Sequence, residues 1–491
     1  MRLITEGSVN LYYLQTLCLL FFPGAKFSPT EEIDESVPVV YVKQSVFEQS
    51  AYAEASLTVG KKNVTKFHSE PITEDRPEKK ACDYAVARAF FDAATKFFGY
   101  TPPWGLLTGV RPTKLAFDRM DLGMNKEQTV RSLRHEYLLY PKKAILATDI
   151  ARNEAKIIKN YTDNDCSLYI SIPFCPTRCA YCSFVSYTTK KLLSLIPDYV
   201  VALKKELTDT VSLIKEMKMR IATVYIGGGT PTTLDENQLE DLLSHIDSLI
   251  DTSELDEYTL EAGRPDTITE EKLNIAKSHN VTRISVNPQT LNDCILKDIG
   301  RAHTTDVFLE KYELAKKSGI KNINTDLIIG LPGDDFVNFS DTLDRIIELD
   351  PENITVHTFC VKRSSDMVNK GDSLFDKNRF ELTKCVDYSQ IITKKSGYIP
   401  YYMYRQKNAV GNFENVGFCK KGSEGIYNIL MMEEVHTIFA AGAGGVTKLT
   451  ANKGARIERV FNPKYPFEYL KMDRKAAFDQ LREKCTGFFG D

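Results

Sequence analysis

The chain has 491 residues, 43% apolar and 26% charged. That balance excludes a disordered or fibrous protein, and at roughly 150 residues per domain the length suggests about three domains. Lys and Arg (63) nearly cancel Asp and Glu (66), so the formal charge of −3 gives no sign of a nucleic-acid partner. The longest apolar run, 11–22, is too short to span a bilayer, is interrupted by Gln15 and Thr16, and follows Glu6 where a signal peptide would be basic. These features predict a cytoplasmic protein with no membrane span. Eleven cysteines in a reducing compartment are free thiols or metal ligands.

Residues 1–75 read as an α+β domain, with a helix at Leu11–Phe22, strands at Val37–Val42 and Ser56–Val59, and a turn at Gly60 before a Lys-rich segment. Residues 76–161 read as helical. Apolar positions at helical spacing run over Ala81–Phe98 and stop at Gly99, with Pro102 and Pro103 beyond. From Cys166 short β runs alternate with amphipathic helices. The strands are predicted at Ser167–Ile172, Thr223–Ile226, Tyr258–Glu261, Arg283–Val286, Asn322–Ile328 and Asn353–Phe359. Between them lie helices at Pro197–Met217, Glu236–Leu249, Glu270–Ser278, Thr305–Ser318 and Phe336–Glu348. Such alternation predicts an α/β fold with a parallel sheet, and six units over 162–374 fit a partial (β/α)6 barrel better than a closed eight. Residues 375–491 are expected to form an α/β extension that covers the substrate.

The strongest chemical signal is Cys175-Pro-Thr-Arg-Cys179-Ala-Tyr-Cys182, directly after the first barrel strand. Three thiols on one short loop suit an iron–sulfur cluster, and three ligands leave one iron of a [4Fe–4S] cluster open to a small molecule. A zinc knuckle is the alternative; against it, Phe184 and Tyr187 stand where a fourth ligand would follow. One βα unit later comes Gly227-Gly228-Gly229-Thr230-Pro231, where glycines permit close backbone approach to a ligand. Polar residues then fall at successive strand ends, as functional groups of barrels do: Glu261, Gln289, Asp326 and His357. Arg301, after Gly300, could grip a carboxylate or form a surface ion pair.

The cysteine loop with its aromatic Tyr181 resembles that of the radical S-adenosylmethionine (radical SAM) superfamily. Pro173-Phe174-Cys175, Glu261-Ala262, Pro288-Gln289 and Asp326-Leu-Ile-Ile-Gly-Leu-Pro332 narrow the resemblance to the oxygen-independent coproporphyrinogen III oxidase family. Leu107–Lys114, Tyr401–Asn408 and Ala441–Lys448 look like its coproporphyrinogen dehydrogenase branch. The resemblance implies a radical SAM barrel with a [4Fe–4S] cluster on Cys175, Cys179 and Cys182. It further implies S-adenosylmethionine held by Tyr169, Tyr181, Gly228, Gly229, Thr230, Glu261, Gln289, Arg301 and Asp326. The implied reaction is oxidative decarboxylation of two propionates of coproporphyrinogen III, giving protoporphyrinogen IX. A reduced flavodoxin- or ferredoxin-type donor would supply electrons, and no nucleic acid is expected.

A tetrapyrrole with four carboxylates calls for Arg or Lys beside aromatic surface. Arg405 with Tyr402, Tyr404 and Lys407 offers that mix, Lys362 and Arg363 add cationic reach, and Arg405 is the predicted substrate contact. Two positions depart from the pattern. Ser171 stands where the family usually has His, and Phe184 where the established oxidases carry a further Cys that haem-trafficking relatives also lack. A haem carrier, with His357 or His436 as ligand, and a nucleic-acid-modifying radical enzyme are therefore the competing readings.

Overall fold

In the computed structural model, which describes residues 1–27, 37–109, 111–182, 186–360, 379–406 and 409–490, the contacts divide the chain into two units. One is Met1–Thr148 with Arg405–Asn408; the other is Asp149–Tyr404 with Ala409–Asp491. Among the described residues no helix is long and apolar enough to cross a membrane.

The first unit is built on a four-stranded sheet in spatial order β1 (Arg2–Glu6), β2 (Val39–Phe47), β3 (Ser50–Val59), β4 (Lys62–Pro71). β1 runs parallel to β2, and the other neighbours are antiparallel. Along β3 the buried residues alternate with more exposed ones: Ala51, Ala53, Ala55 and Leu57 face inward, the period of a strand with one covered face. Their small size lets the helix Glu78–Phe98 come close with its own Ala81, Ala85 and Ala89, while Leu14, Leu17 and Phe21 of the helix Leu11–Phe21 complete the core. Gly99 ends the long helix in the left-handed conformation, as its position predicts. The strands are longer and more numerous than their sequence suggests. β2 and β3 join through Glu48 and Gln49, both at positive φ (46° and 59°), a turn that normally advertises itself with Asn or Gly.

The second unit carries an eleven-stranded sheet. Its centre is six parallel strands in sequence order: β5 (Asp165–Ile172), β6 (Arg220–Gly228), β7 (Glu257–Leu260), β8 (Arg283–Ser285), β9 (Asn322–Ile329) and β10 (Asn353–Thr358). Amphipathic helices connect them, among them Ile196–Glu216 and Glu236–Leu249, the latter opened by a reciprocal cap between Asp235 and Gln238. This is the predicted six-unit α/β arrangement, and among the described residues the sheet does not close into a barrel. The C-terminal part extends it at both edges. Beyond β10 lie β12 (Glu414–Cys419), antiparallel to it, and β11 (Ile399–Arg405). At the other edge β13 (Thr437–Ala441) pairs parallel to β5, followed by the antiparallel β14 (Val446–Ala451) and β15 (Arg456–Phe461). At the start of the parallel strands, buried Arg283 donates to Glu257 and Asn353 and to the carbonyls of Ser423 and Glu424. Glu257 also accepts from the backbone N–H groups of Ile426 and Tyr427, which fixes the helix Ile426–Glu433 against the sheet.

Candidate active site at the carboxyl ends of the strands

The cysteine loop leaves β5 and is tied down by main chain on two sides. Cys175 N donates to Tyr187 O at 3.1 Å and Tyr187 N to Pro173 O at 2.9 Å; Ala180 N donates to Ile299 O at 2.9 Å. Arg264 stands beneath it. One side of its buried guanidinium is held by Asp266 (3.1 and 3.0 Å), while Nη1 donates to Thr177 O at 3.2 Å and lies 3.6 Å from Cys179 Sγ. Cys175 and Cys179 are buried and Cys182 half-buried. Burial pushes the Cys175 thiol up to about 11; Thr230 and Arg264 work against this, and the neighbouring Cys182 and Cys179 add to it. Among the described residues no three His, Cys, Asp or Glu side chains close on a single metal ion. Phe184 lies outside the described residues.

The glycine triplet at the end of β6 presses against this loop. Gly229 N donates to Ile172 O at 2.8 Å, and a Cβ on Gly229 would stand 2.6 Å from Phe174 O and 3.0 Å from Cys175 Sγ. Gly228 has φ +109°, a conformation costly for any other residue. Thr230 N donates to Phe174 O at 2.8 Å and its hydroxyl sits 3.3 Å from Cys175 Sγ. Thr230 is thus a neighbour of the cysteine as well as of the glycines. Ser171, in the place of the family's histidine, donates to Ala443 O at 2.8 Å and so faces the C-terminal extension.

Across the sheet the site is made of side chains. Tyr169, Tyr225 and Tyr427 stack, with Tyr225 and Tyr427 centroids 4.4 Å apart, and the Tyr225 hydroxyl donates to Glu261. Burial raises Glu261 to about 7; Tyr225 opposes the rise, nearby Asp326 reinforces it and His357 opposes it. Asp326 is held by Asn287 (2.9 Å) and Asn324 (2.8 Å), and His357 Nε2 lies 3.6 Å away. Burial works against its charge, yet His357, Asn324 and Thr355 together hold it below the usual carboxylate range. Tyr404 in turn places its hydroxyl 3.2 Å from His357 Nδ1. Gln289 is buried at φ 71°, its main chain bonded to Asp326 O and Ile328 N. Arg301 is no surface ion pair: it is buried, donating to the Tyr181 hydroxyl (3.0 and 3.2 Å) and to Gly263 O (3.0 Å).

Interlocking contacts thus join the cysteine loop to Thr230, Gly229 and, through Tyr181, Arg301, and they join Asp326 to Gln289, while Glu261 and Asp326 feel each other electrostatically. Arg405 is not part of this constellation. A free guanidinium is the sequence expectation; instead it is buried, packs 5.5 Å over Trp104 and donates to the carbonyls of Leu107 (2.7 Å) and Gly109 (3.4 Å), contacts of the first unit. His436, a candidate haem ligand, is likewise buried, with Nε2 on Ser167. Lys362, Arg363 and Lys407 lie outside the described residues. Sequence reasoning missed Arg264, Tyr225, Tyr427, Asn287 and Asn324. Arg264 had a signal, standing three residues after the strand-end Glu261.

The fold and this site have the form of a radical SAM protein, and the model of the radical SAM superfamily matches residues 169–346. The chain is 36% identical over 490 residues, 98% of its length and 96% of the relative's, to the oxygen-independent coproporphyrinogen-III oxidase-like protein HemZ of Bacillus subtilis (strain 168). It is 32% identical over 284 residues to the heme chaperone HemW of the same strain, covering 57% of this chain and 70% of that one. The solved structure of Escherichia coli HemN, described as a coproporphyrinogen III oxidase and radical SAM enzyme, shares the fold: TM-score 0.52 and 19% identity over 67% of this chain and 73% of that one. The chain belongs to the HemZ-type family of oxygen-independent coproporphyrinogen-III oxidase-like proteins, within the radical SAM superfamily.

Its cofactors are those of the superfamily, a [4Fe–4S] cluster and S-adenosylmethionine. The residues present fit both. Soft sulfur donors sit on a clamped loop beside a guanidinium, and a glycine ledge brings bare main chain up to Cys175 with no side chain between. Opposite, two carboxylates and an aromatic stack suit a cationic nucleoside.

Proposed function

We propose that the chain is an oxygen-independent coproporphyrinogen III dehydrogenase, converting two propionates of coproporphyrinogen III to vinyl groups and yielding protoporphyrinogen IX. The observation that carries this reading is the similarity to HemZ along 98% of the chain, first unit included. When bound, the cluster and S-adenosylmethionine supply the single-electron chemistry that removes hydrogen from the unactivated carbon next to a carboxylate-bearing one.

In this reading Cys175, Cys179 and Cys182 ligate the cluster. Arg264 holds the loop and balances thiolate charge. Gly228, Gly229 and Thr230 bond the amino end of the methionine moiety, while Glu261, Gln289 and Asp326 take hydroxyls and positive charge of the nucleoside. Arg301 fixes Tyr181 beside the cluster loop, and the Tyr169–Tyr225–Tyr427 stack excludes water. Arg405 receives no substrate role, because its guanidinium is already engaged by two carbonyls. A reduced flavodoxin or ferredoxin supplies the electron for cofactor cleavage, and a one-electron acceptor takes up the electron released with each CO2.

A haem carrier is the second reading, favoured by the similarity to HemW. Anaerobic protein reconstituted with iron and sulfide, then given reductant, S-adenosylmethionine and coproporphyrinogen III, decides between them. The dehydrogenase yields 5′-deoxyadenosine together with the divinyl product. Cofactor cleavage without decarboxylation, combined with stoichiometric haem binding, replaces it with the carrier.

A further inference from the structure

A second cavity lies in the same unit, away from the cysteine loop, between the helices Ile196–Glu216 and Arg474–Phe489 and the strands β13 to β15. Its volume is about 430 Å³, in the range of small-molecule sites. One part of its wall is apolar: Val460, Phe461, Met472, Phe478 and Leu481. The rest carries charge. Glu206 and Asp209, three residues apart on one helix, share a face and both line the space.

The three charged groups differ in how they are satisfied. Glu206 is saturated: its carboxylate accepts from Gly442 N (2.8 Å), Asn462 Nδ2 (2.7 Å) and the Tyr469 hydroxyl. Arg474 is not. Its guanidinium stacks on Tyr469 at 4.7 Å and Nη1 reaches the Tyr469 hydroxyl at 3.5 Å, but among the described residues no carboxylate pairs with it. A guanidinium that lines a cavity without a carboxylate partner can take the carboxylate of a ligand. Arg474 also opens a sixteen-residue helix whose first-turn Ala476 and Ala477 line the cavity; Asp473 caps that end, accepting from Ala476 N at 3.1 Å, so the guanidinium alone is left for an anion. Asp209 has no ion-pair partner among the described residues.

An anion alone would meet the carboxylates of Glu206 and Asp209, and a dianion such as phosphate would meet them twice over. A ligand that brings its own cation satisfies both unpaired groups. We infer that this cavity binds a free α-amino acid with an apolar side chain, its carboxylate on Arg474, its ammonium on Asp209 and its side chain among Phe461, Met472, Phe478 and Leu481. The site is distinct from the one proposed for S-adenosylmethionine and does not rest on the porphyrinogen reading.

The test uses cluster-loaded full-length protein saturated with S-adenosylmethionine and kept without reductant, so that the chelating position of the cluster is occupied and nothing turns over. Calorimetric titration with L-leucine and with L-phenylalanine should show one saturable site for at least one of them. The one that binds should do so at least about tenfold more tightly than its deaminated and decarboxylated analogues, 4-methylpentanoate and 3-methylbutylamine for leucine, 3-phenylpropanoate and 2-phenylethylamine for phenylalanine, the loss of one charged contact being worth at least that much. Arg474→Met and Asp209→Asn should each weaken binding by a similar factor. Ala477→Trp fills the cavity while leaving both charged residues in the chain and should abolish binding while the cluster absorbance and circular dichroism persist. It serves as the deciding variant should Arg474→Met fail to fold. Absence of heat with both amino acids overturns the assignment. So does equal affinity for either the deaminated or the decarboxylated analogue, or undiminished binding by Ala477→Trp.

Discussion

Along β5 and β6 the site is made of main chain. Cys175 and Gly229 are positioned by N–H and C=O groups, and the space between loop and ledge is set by the absence of a Cβ. Along β7 to β10 it is made of side chains: Tyr225 on Glu261, Asn287 and Asn324 on Asp326, Tyr404 on His357. The first wall has little tolerance for substitution, because backbone cannot retreat. The second can adjust rotamers and protonation states. Holding an oxygen-sensitive cluster asks for the former, and accommodating a bound organic cofactor for the latter.

If the two walls differ in this way, the harshest consequence belongs to the main-chain side. Gly229→Ala puts a methyl 2.6 Å from Phe174 O. Reductive cleavage of S-adenosylmethionine, followed as 5′-deoxyadenosine, should fall by about 10²-fold or more with the fold intact by circular dichroism, since misplacement on this scale is that damaging. Near-normal turnover would mean the ledge is as compliant as the opposite wall. Arg264→Met should be milder. The loop keeps its cysteines but loses the guanidinium that joins Thr177 O, Cys179 and Asp266, and cluster bleaching by a chelator should accelerate about tenfold.

On the side-chain wall the expected effect is smallest and depends on pH. Burial keeps Glu261 protonated up to about pH 7, and in the proposed site only its ionised form would attract the sulfonium nucleoside. Affinity for S-adenosylmethionine should therefore rise about three- to fivefold between pH 6 and 8, and Glu261→Gln should flatten that rise. The stability effect has the opposite sign. With its pKa raised on folding, Glu261 keeps a proton that the unfolded chain has already lost. The cofactor-free protein should lose thermal stability as pH climbs from the ordinary carboxyl range to about 7, and the Gln variant should lose less.

What the sequence made legible follows the same division. Cys175, Cys179, Cys182 and the Gly227–Thr230 run are contiguous, and their chemistry shows in their spacing. Of the partners of Asp326, Asn324 lies two residues away on β9, whereas Asn287 follows β8 and His357 lies on β10, so the register of neighbouring strands brings these two to it. Tyr427 arrives from a helix anchored by Glu257, more than 160 residues earlier in the chain, with no local pattern to announce it. The strand periodicity of the parallel units was readable because helix and strand alternate. The β2–β3 hairpin was not, since Glu48 and Gln49 adopt the left-handed conformation without a turn residue. Arg405 misled for a related reason: its charge was visible, but the carbonyls that hold it, nearly 300 residues upstream, were not.

The pairing of β13 with β5 sets an order of events in the life of the protein. The strand that carries the cysteine loop is flanked on one side by residues 437–441, which leave the ribosome some 270 residues later. Until then β5 is an open edge with a nascent thiol loop beside it. A chain that stops before Thr437 would leave the strand that carries the cysteine loop as an unpaired edge, open to pairing with other chains.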